Sequence, residues 1–448
     1  MQLRTPFVIV GLLGLMVSFT SIAVAQSEDS GDERQVSAPD IRALTLEQVL
    51  EEVREQNEEW EITEARIAQA RAARREAWAA LLPSVSASAN VTRYGREIEF
   101  GGEQVRPQYD WGASGRASIA IFDGRSYPLL SRSGRLLEAS EALSKWRRRS
   151  VVFEATQSFY LLAAAEEQVA IAERAIELRQ AQLDRAEALV EAKLAIELDV
   201  ERARSQLLEA EQDLLEARAQ LGDAADSLAS LMAIEPEETL RARVGGGELE
   251  DAPVEQPPDQ ARVADLEQRA DFRAVEHQIE AVEQSERAVL WSLLPLLELR
   301  ADAQAGPESA FSRPDGYTWS LTLQASWLLY DGGARYAQMD QLDEQVREER
   351  LSYQRELRQA RVGIRQALRR WKSAAASVDV ARQQIQAARA AHQSARERFE
   401  QGLGTNLEVI EAADTLFRAE TALNQRRLEA QVAAAEYRYL IDLVGEAD

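Results

Sequence analysis

Apolar residues recur along this chain with two different periods, and the switch between them marks out its elements. In residues 84–92, Val85, Ala87, Ala89 and Val91 alternate with Ser84, Ser86, Ser88, Asn90 and Thr92. Trp111, Ala113, Ala117, Ile119 and Ile121 alternate in the same way with Ser114, Arg116 and Ser118. Leu297, Leu299, Ala301 and Ala303 alternate with Glu298, Arg300, Asp302 and Gln304, and Trp319, Leu321, Leu323, Ala325 and Trp327 with Thr318, Ser320, Thr322, Gln324 and Ser326. Period two predicts four strands, each with one apolar and one polar face.

Elsewhere the period is seven. Val200, Leu207, Leu214, Leu221 and Leu228 form one row, and Ala203, Ala210, Ala217, Ala224 and Leu231 a second row three places later. That is a sustained heptad seam with small residues on one side, which predicts a helix packed closely on an antiparallel neighbour. Val169, Ile176, Leu183 and Val190 supply that neighbour. A second set repeats the pattern: Val409, Leu416, Leu423, Ala430 and Tyr437 with Ala412, Ala419, Arg426, Ala433 and Leu440, preceded by Val378, Ile385, His392 and Phe399. His392 stands where the first set has Leu183 and reads as a seam residue.

The chain is therefore duplicated. Tyr109-Asp110-Trp111 followed by Phe122-Asp123-Gly124 returns as Tyr317-Thr318-Trp319 followed by Tyr330-Asp331-Gly332, and Leu81-Leu82-Pro83 returns as Leu293-Leu294-Pro295. Each copy reads helix, strand, strand, long helix, turn, helix. The first has helices over about 45–80, 131–192 and 197–233, and the second over about 262–292, 333–401 and 405–442. The long helix would span roughly 90 Å at 1.5 Å per residue, and the two shorter ones together nearly match it, so they can stack end to end beside it. The predicted divisions are an export signal at 1–25, a flexible segment at 26–44, repeats at 45–244 and 262–445, and a Gly- and Pro-rich acidic linker at 245–261. Gly245-Gly246-Gly247 lacks the lysine of a phosphate loop.

Each strand has the roughly ten-residue length needed to cross a membrane in a barrel. Trp111, Trp319 and Trp327 sit near strand ends, where an interfacial aromatic girdle belongs. An ordinary half-buried sheet shows the same alternation. What favours lipid is the start of the chain: Arg4, an apolar run from Phe7 to Val17, and Ala23-Val24-Ala25 before Gln26 form an export signal. Four strands cannot close a barrel alone, and an open edge in lipid leaves backbone groups unpaired at several kcal/mol each. Closure then needs further copies, with a total in multiples of four strands.

Composition narrows the function. The formal net charge of −24 argues against nucleic acid as a partner. The absence of cysteine excludes disulfides, thiol chemistry and an acylated N-terminal cysteine. The two histidines, His277 and His392, come with no nucleophile or phosphate-loop motif, so no catalytic residue, cofactor or metal site is assigned.

Taken in order, several pieces resemble the TolC-type outer-membrane factor family. They are Thr45-Leu46-Glu47-Gln48-Val49-Leu50 leading to Leu81-Leu82-Pro83, the Phe122-Asp123-Gly124 and Tyr330-Asp331-Gly332-Gly333 junctions, and the stretch from Gly402 to Ala412. The resemblance covers about Leu44 to Gly445. It implies a mainly α fold with a small β part, a homotrimer with a twelve-strand barrel in the outer membrane of a Gram-negative bacterium, and a helical tunnel through the periplasm. It further implies a tripartite pump with a periplasmic adaptor and an inner-membrane transporter, or type I protein secretion. A periplasmic coiled-coil adaptor is the rival from another class. By the same resemblance Gly402, Leu403, Gly404 and Thr405 dock the adaptor, with Lys193, Leu194 and Ala195 as the first-copy turn. Glu408 and Glu411 form acidic rings at the periplasmic constriction, with Asp199 and Arg202 at the equivalent first-copy positions. Leu321 and Leu323, with the three tryptophans, face lipid.

Overall fold

The computed structural model describes residues 41–100, 103–106, 108–235, 239–243, 256–258, 266–306 and 317–441. The predicted export signal, residues 26–40 of the segment after it, and Gly245-Gly246-Gly247 lie outside the described residues.

In chain order the first copy holds β1 (Ile41–Leu44), α1 (Leu46–Gln56), α2 (Glu58–Ala79), β2 (Ser84–Arg93), β3 (Ile98–Phe100), β4 (Glu103–Arg106), β5 (Tyr109–Phe122), α3 (Ser126–Glu191), α4 (Glu197–Leu231) and β6 (Thr239–Ala242). The second holds α5 (Ala270–Trp291), β7 (Leu296–Ala305), β8 (Tyr317–Ser326), α6 (Ala334–Glu400) and α7 (Asn406–Leu440). No helix among the described residues is long and apolar enough to cross a membrane.

At 66 residues, α3 runs roughly 100 Å at 1.5 Å per residue. The alanine row of α4 is buried against it at Ala203, Ala210, Ala217 and Ala224, with Leu207 and Leu228. Leu228 is 1% exposed, so truncating it to alanine costs about 2–5 kcal/mol. The short helices do meet end to end. Asn57 Nδ2, just before α2, donates to the Leu231 carbonyl at the end of α4, 2.8 Å away. In the second copy Arg269 Nη1, just before α5, donates to the Leu440 carbonyl at the end of α7, also at 2.8 Å. Both satisfy a carbonyl that a helix C-terminus leaves without an intrahelical partner.

Several expectations need correction. The single helix expected at 45–80 breaks at Asn57, whose backbone turns extended and whose side chain caps Glu59 N at 3.0 Å. Residues 41–44, at the end of the segment expected to be flexible, form β1, paired in parallel with β6. Arg426, placed on the second-copy seam, is exposed and pairs with Glu429 at 2.7 Å, while Asn424 and Arg427 are buried. The cause is that α7 packs on both α6 and α3, so its buried stripe is wider than one heptad row. Ile121 sits at a bulge in β5 that brings Phe122 opposite Leu297. The short pair β3–β4 lies within the β2–β5 connection and was not expected.

The four long strands form one antiparallel sheet in the order β2-β5-β7-β8. Its register aligns the apolar rows. Val91 faces Trp111, Ala117 faces Ala301, Ile119 faces Leu299, Leu299 faces Leu323 and Ala303 faces Trp319. The polar rows align on the other face, with Arg116 opposite Asp302 and Arg300 opposite Thr322. Arg116 Nε donates to Asp302 Oδ1 at 2.6 Å.

Candidate functional site: the hairpin tips and the sheet

The two hairpin turns share one geometry. After α3, Lys193 N donates to the Val190 carbonyl at 2.9 Å and Leu194 N to the Leu189 carbonyl at 2.8 Å. After α6, 209 residues later, Gly402 N donates to Phe399 O at 3.0 Å and Leu403 N to Arg398 O at 2.8 Å. Each is a Schellman close whose pivot is left-handed, at φ 60° for Lys193 and 74° for Gly402. Glycine suits that pivot and lysine is strained there, yet the first copy makes the same turn without glycine. At Gly404 the need for glycine is spatial: an added Cβ would lie 3.2 Å from the Glu408 carboxylate and 3.3 Å from Phe399 N.

Apolar side chains stand out at matching places on both tips. Leu194, Ile196 and Leu198 are exposed on the first, as are Leu403 and Leu407 on the second. Ala195 is partly covered and Thr405 caps α7, accepting from Glu408 N at 3.3 Å. Glu408, Glu411 and Arg202 are exposed and Asp199 is half-buried, all within the first turns after the tips. Acidic residues are favoured at that end of a helix by its dipole whatever else they do. No ion pair joins Arg202 to Glu408 or Glu411 among the described residues.

Cross-links between the hairpins fall instead on residues outside those expectations. Arg185 of α3 pairs with Glu400 of α6 at 3.3 Å and lies 4.9 Å from the Phe399 ring centre. Hydrogen bonds from Arg396 and Arg185 hold the Glu400 carboxyl below its usual pKa. Deeper in, the buried Arg179 of α3 pairs with Asp414 of α7 and donates to Gln206 of α4 at 3.2 Å. His392 is close by, with Nε2 buried and without a hydrogen-bond partner. Burial, with Arg396 and Arg179 near, lowers its pKa and keeps it a neutral seam residue.

At the sheet, Leu321, Leu323 and Trp319 are 62%, 67% and 71% exposed in the single chain. Apolar area of that extent is a surface made for a partner or for lipid. Aromatics cluster at two levels. Tyr109, Trp111, Tyr317 and Trp319 mark the loop ends of the strands, and Trp78, Trp291 and Trp327 the helix ends. Trp319 and Trp327 are eight residues apart, about 26 Å of strand, or about 20 Å after a 40° tilt. That is the scale of the ~25 Å apolar band of an outer-membrane barrel.

Comparison with known proteins agrees with this geometry. No curated protein matches the chain significantly by sequence. Among solved structures, the Campylobacter jejuni CmeC outer membrane channel superposes with a TM-score of 0.77 at 17% identity, over 94% of each chain. CusC, described as forming a transmembrane channel, gives 0.77 at 18% identity over 88% of this chain and 91% of its own. The open state of the Neisseria gonorrhoeae MtrE outer membrane channel gives 0.74 at 20% identity, over 88% of each chain. The family model described as outer membrane efflux protein matches residues 49–233 and 263–441, which takes in both copies. With one apolar and one polar face on its sheet and helices paired in two matching hairpins, the chain belongs to the outer membrane efflux protein family.

Proposed function

We propose that three copies of this chain close one efflux channel. Their sheets join edge to edge into a twelve-stranded barrel, and their helices line a periplasmic tunnel fed by an adaptor and an inner-membrane transporter. The observation that carries this reading is the sheet itself: a continuous apolar face, a continuous polar face, and outer edges of β2 and β8 with no neighbour among the described strands. In hydrocarbon each unpaired edge group costs several kcal/mol, so β8 of one copy must meet β2 of the next. Two copies would give eight strands, whose interior side chains fill, whereas twelve leave an open bore.

At the other end, the exposed leucines of the matching tips form the adaptor's docking surface, with Gly402 and Gly404 keeping the second turn free of side chains. Just beyond, Glu408 and Glu411 from three copies converge around the axis with Asp199, and a ring of carboxylates selects cations. Arg202 stands where the second copy has Glu411 and lightens that ring. Planar-bilayer recording with native mass spectrometry tests the proposal. A detergent-bound trimer with discrete cation-selective conductance is expected, and Glu408→Gln with Glu411→Gln should reduce the selectivity. A monomer stable without detergent would reject the trimer, and unchanged selectivity would reject the ring.

A further inference from the structure

The geometry points to a site for a divalent transition-metal ion between α3 and α5, held by Glu138, His277 and Glu280. It lies apart from both the tips and the sheet. His277 and Glu280 are three residues apart on α5, so they share a face, and Glu138 meets them from α3. Their donor atoms all lie within 4.8 Å of one another. His277 Nδ1 is 3.4 Å from Glu138 Oε2 and 3.2 Å from Glu280 Oε2. Ligands bound tetrahedrally at 2.0–2.1 Å stand about 3.3–3.4 Å from each other, so both spacings to His277 already suit a zinc ion, and the two carboxylates need close by at most about 1.5 Å. One neutral imidazole and two carboxylates are a set that zinc accepts, and it leaves a fourth position for water. Facing helices of a bundle are a common place to build such a set. A nitrogen ligand favours first-row transition ions over magnesium or calcium.

A cation already serves the two carboxylates. Arg135 donates to Glu138 Oε2 from Nη1 at 2.8 Å and lies 3.3 Å from Glu280 Oε2 through Nε. Two carboxylates against one guanidinium leave a net negative charge, so an incoming cation is attracted even before Arg135 moves. The Arg135 side chain is 40% exposed, so it can swing into water when a metal takes its place. Arg135 is thus a competitor for the site. That sets the proposal apart from a plain ion-pair network, in which Arg135 would only be a member.

Calorimetric titration of the purified full-length protein in detergent with zinc chloride decides between the two. One saturable site per chain is expected, weakened at least about tenfold by His277→Gln or Glu280→Gln. Arg135→Gln should tighten it, and His392→Gln should leave it unchanged. Cobalt substitution of the unmodified protein supplies a readout that needs no variant, an intense visible band from tetrahedral coordination. No saturable zinc binding, binding indifferent to His277→Gln, weaker binding in Arg135→Gln, or no tetrahedral cobalt band would each overturn the site.

Discussion

Aspartate placed at two adjacent positions of β8 should have opposite effects. Leu323 lies on the apolar face opposite Leu299, and Thr322 on the polar face opposite Arg300. At Leu323 the leucine is 67% exposed in the single chain, and in the proposed barrel lipid supplies its apolar surroundings. Leu323→Asp forfeits about 2 kcal/mol of apolar transfer and adds up to about 2 kcal/mol for a carboxylate near mid-membrane. That is about 4 kcal/mol per chain, and about three times as much for a trimer. Thr322→Asp puts its charge in water beside Arg300, where an opposite-charge cross-strand pair is worth about 0.2–1 kcal/mol. The fraction of heat-resistant trimer in outer-membrane extracts reads both variants. Leu323→Asp should abolish the trimer while Thr322→Asp keeps it, and Leu321→Asp should behave like Leu323→Asp. Equal damage from both neighbours would refute the assignment of faces.

Four further outcomes are expected. Asp414→Ala should lower stability by about 3 kcal/mol, because it strips the carboxylate from the buried Arg179 guanidinium; a loss below about 1 kcal/mol in denaturation of the detergent-solubilised protein would contradict this. Gly402→Lys should cost only about 1–2 kcal/mol of local strain, since Lys193 holds the same left-handed turn, and should leave assembly intact; Leu403→Asp with Leu194→Asp should instead abolish adaptor pull-down while the trimer persists, and retained pull-down would exclude the tips as the docking surface. Glu166 accepts a bond from Ala242 N at 3.0 Å, and burial pushes its carboxyl from 4.5 up to about 7. The folded chain therefore binds that proton more tightly than the unfolded chain, so its contribution is complete below pH 4.5 and is lost as pH rises through 7. Tm should fall more between pH 5 and 8 in the unmodified protein than in Glu166→Gln, and equal falls would dismiss Glu166 as the source.

The sheet was legible because each strand repeats one two-residue rule ten residues long, and Val85 to Ala325 obey it on all four strands. The helices were legible from the seam that starts at Val200 and returns at Val409. β1 and β6 were not, since four-residue strands carry no periodicity and their partners lie about 200 residues apart. Asn57 looks like a helix interior residue among glutamates, and the reason it breaks the helix there, its bond to Leu231 across 174 residues, carries no local signal. At the tips, Asp199 and Arg202 could be matched to Glu408 and Glu411 by the duplication. The ion pairs that join the two hairpins could not, because Arg185–Glu400 and Arg179–Asp414 link residues with no common sequence spacing. Glu138 and His277 are likewise 139 positions apart, so no motif announces their meeting.

The two places where short helices abut are tied in different ways. In the first copy the Asn57 amide bridges the gap together with the parallel strands β1 and β6 and a buried cluster that includes Val53, Leu228 and Met232. In the second, Arg269 bridges it while gripping Asp271 through two bonds of 2.7 and 2.8 Å and lying against Trp146 of α3 and Phe272 at 4.6 and 4.9 Å. One joint is a splice of strands and an amide, and the other a single clamped guanidinium. In the proposed trimer six such joints would alternate around the wall, three of each kind. In the proposed assembly a wall of near-sixfold repeat would thereby carry joints of only threefold symmetry.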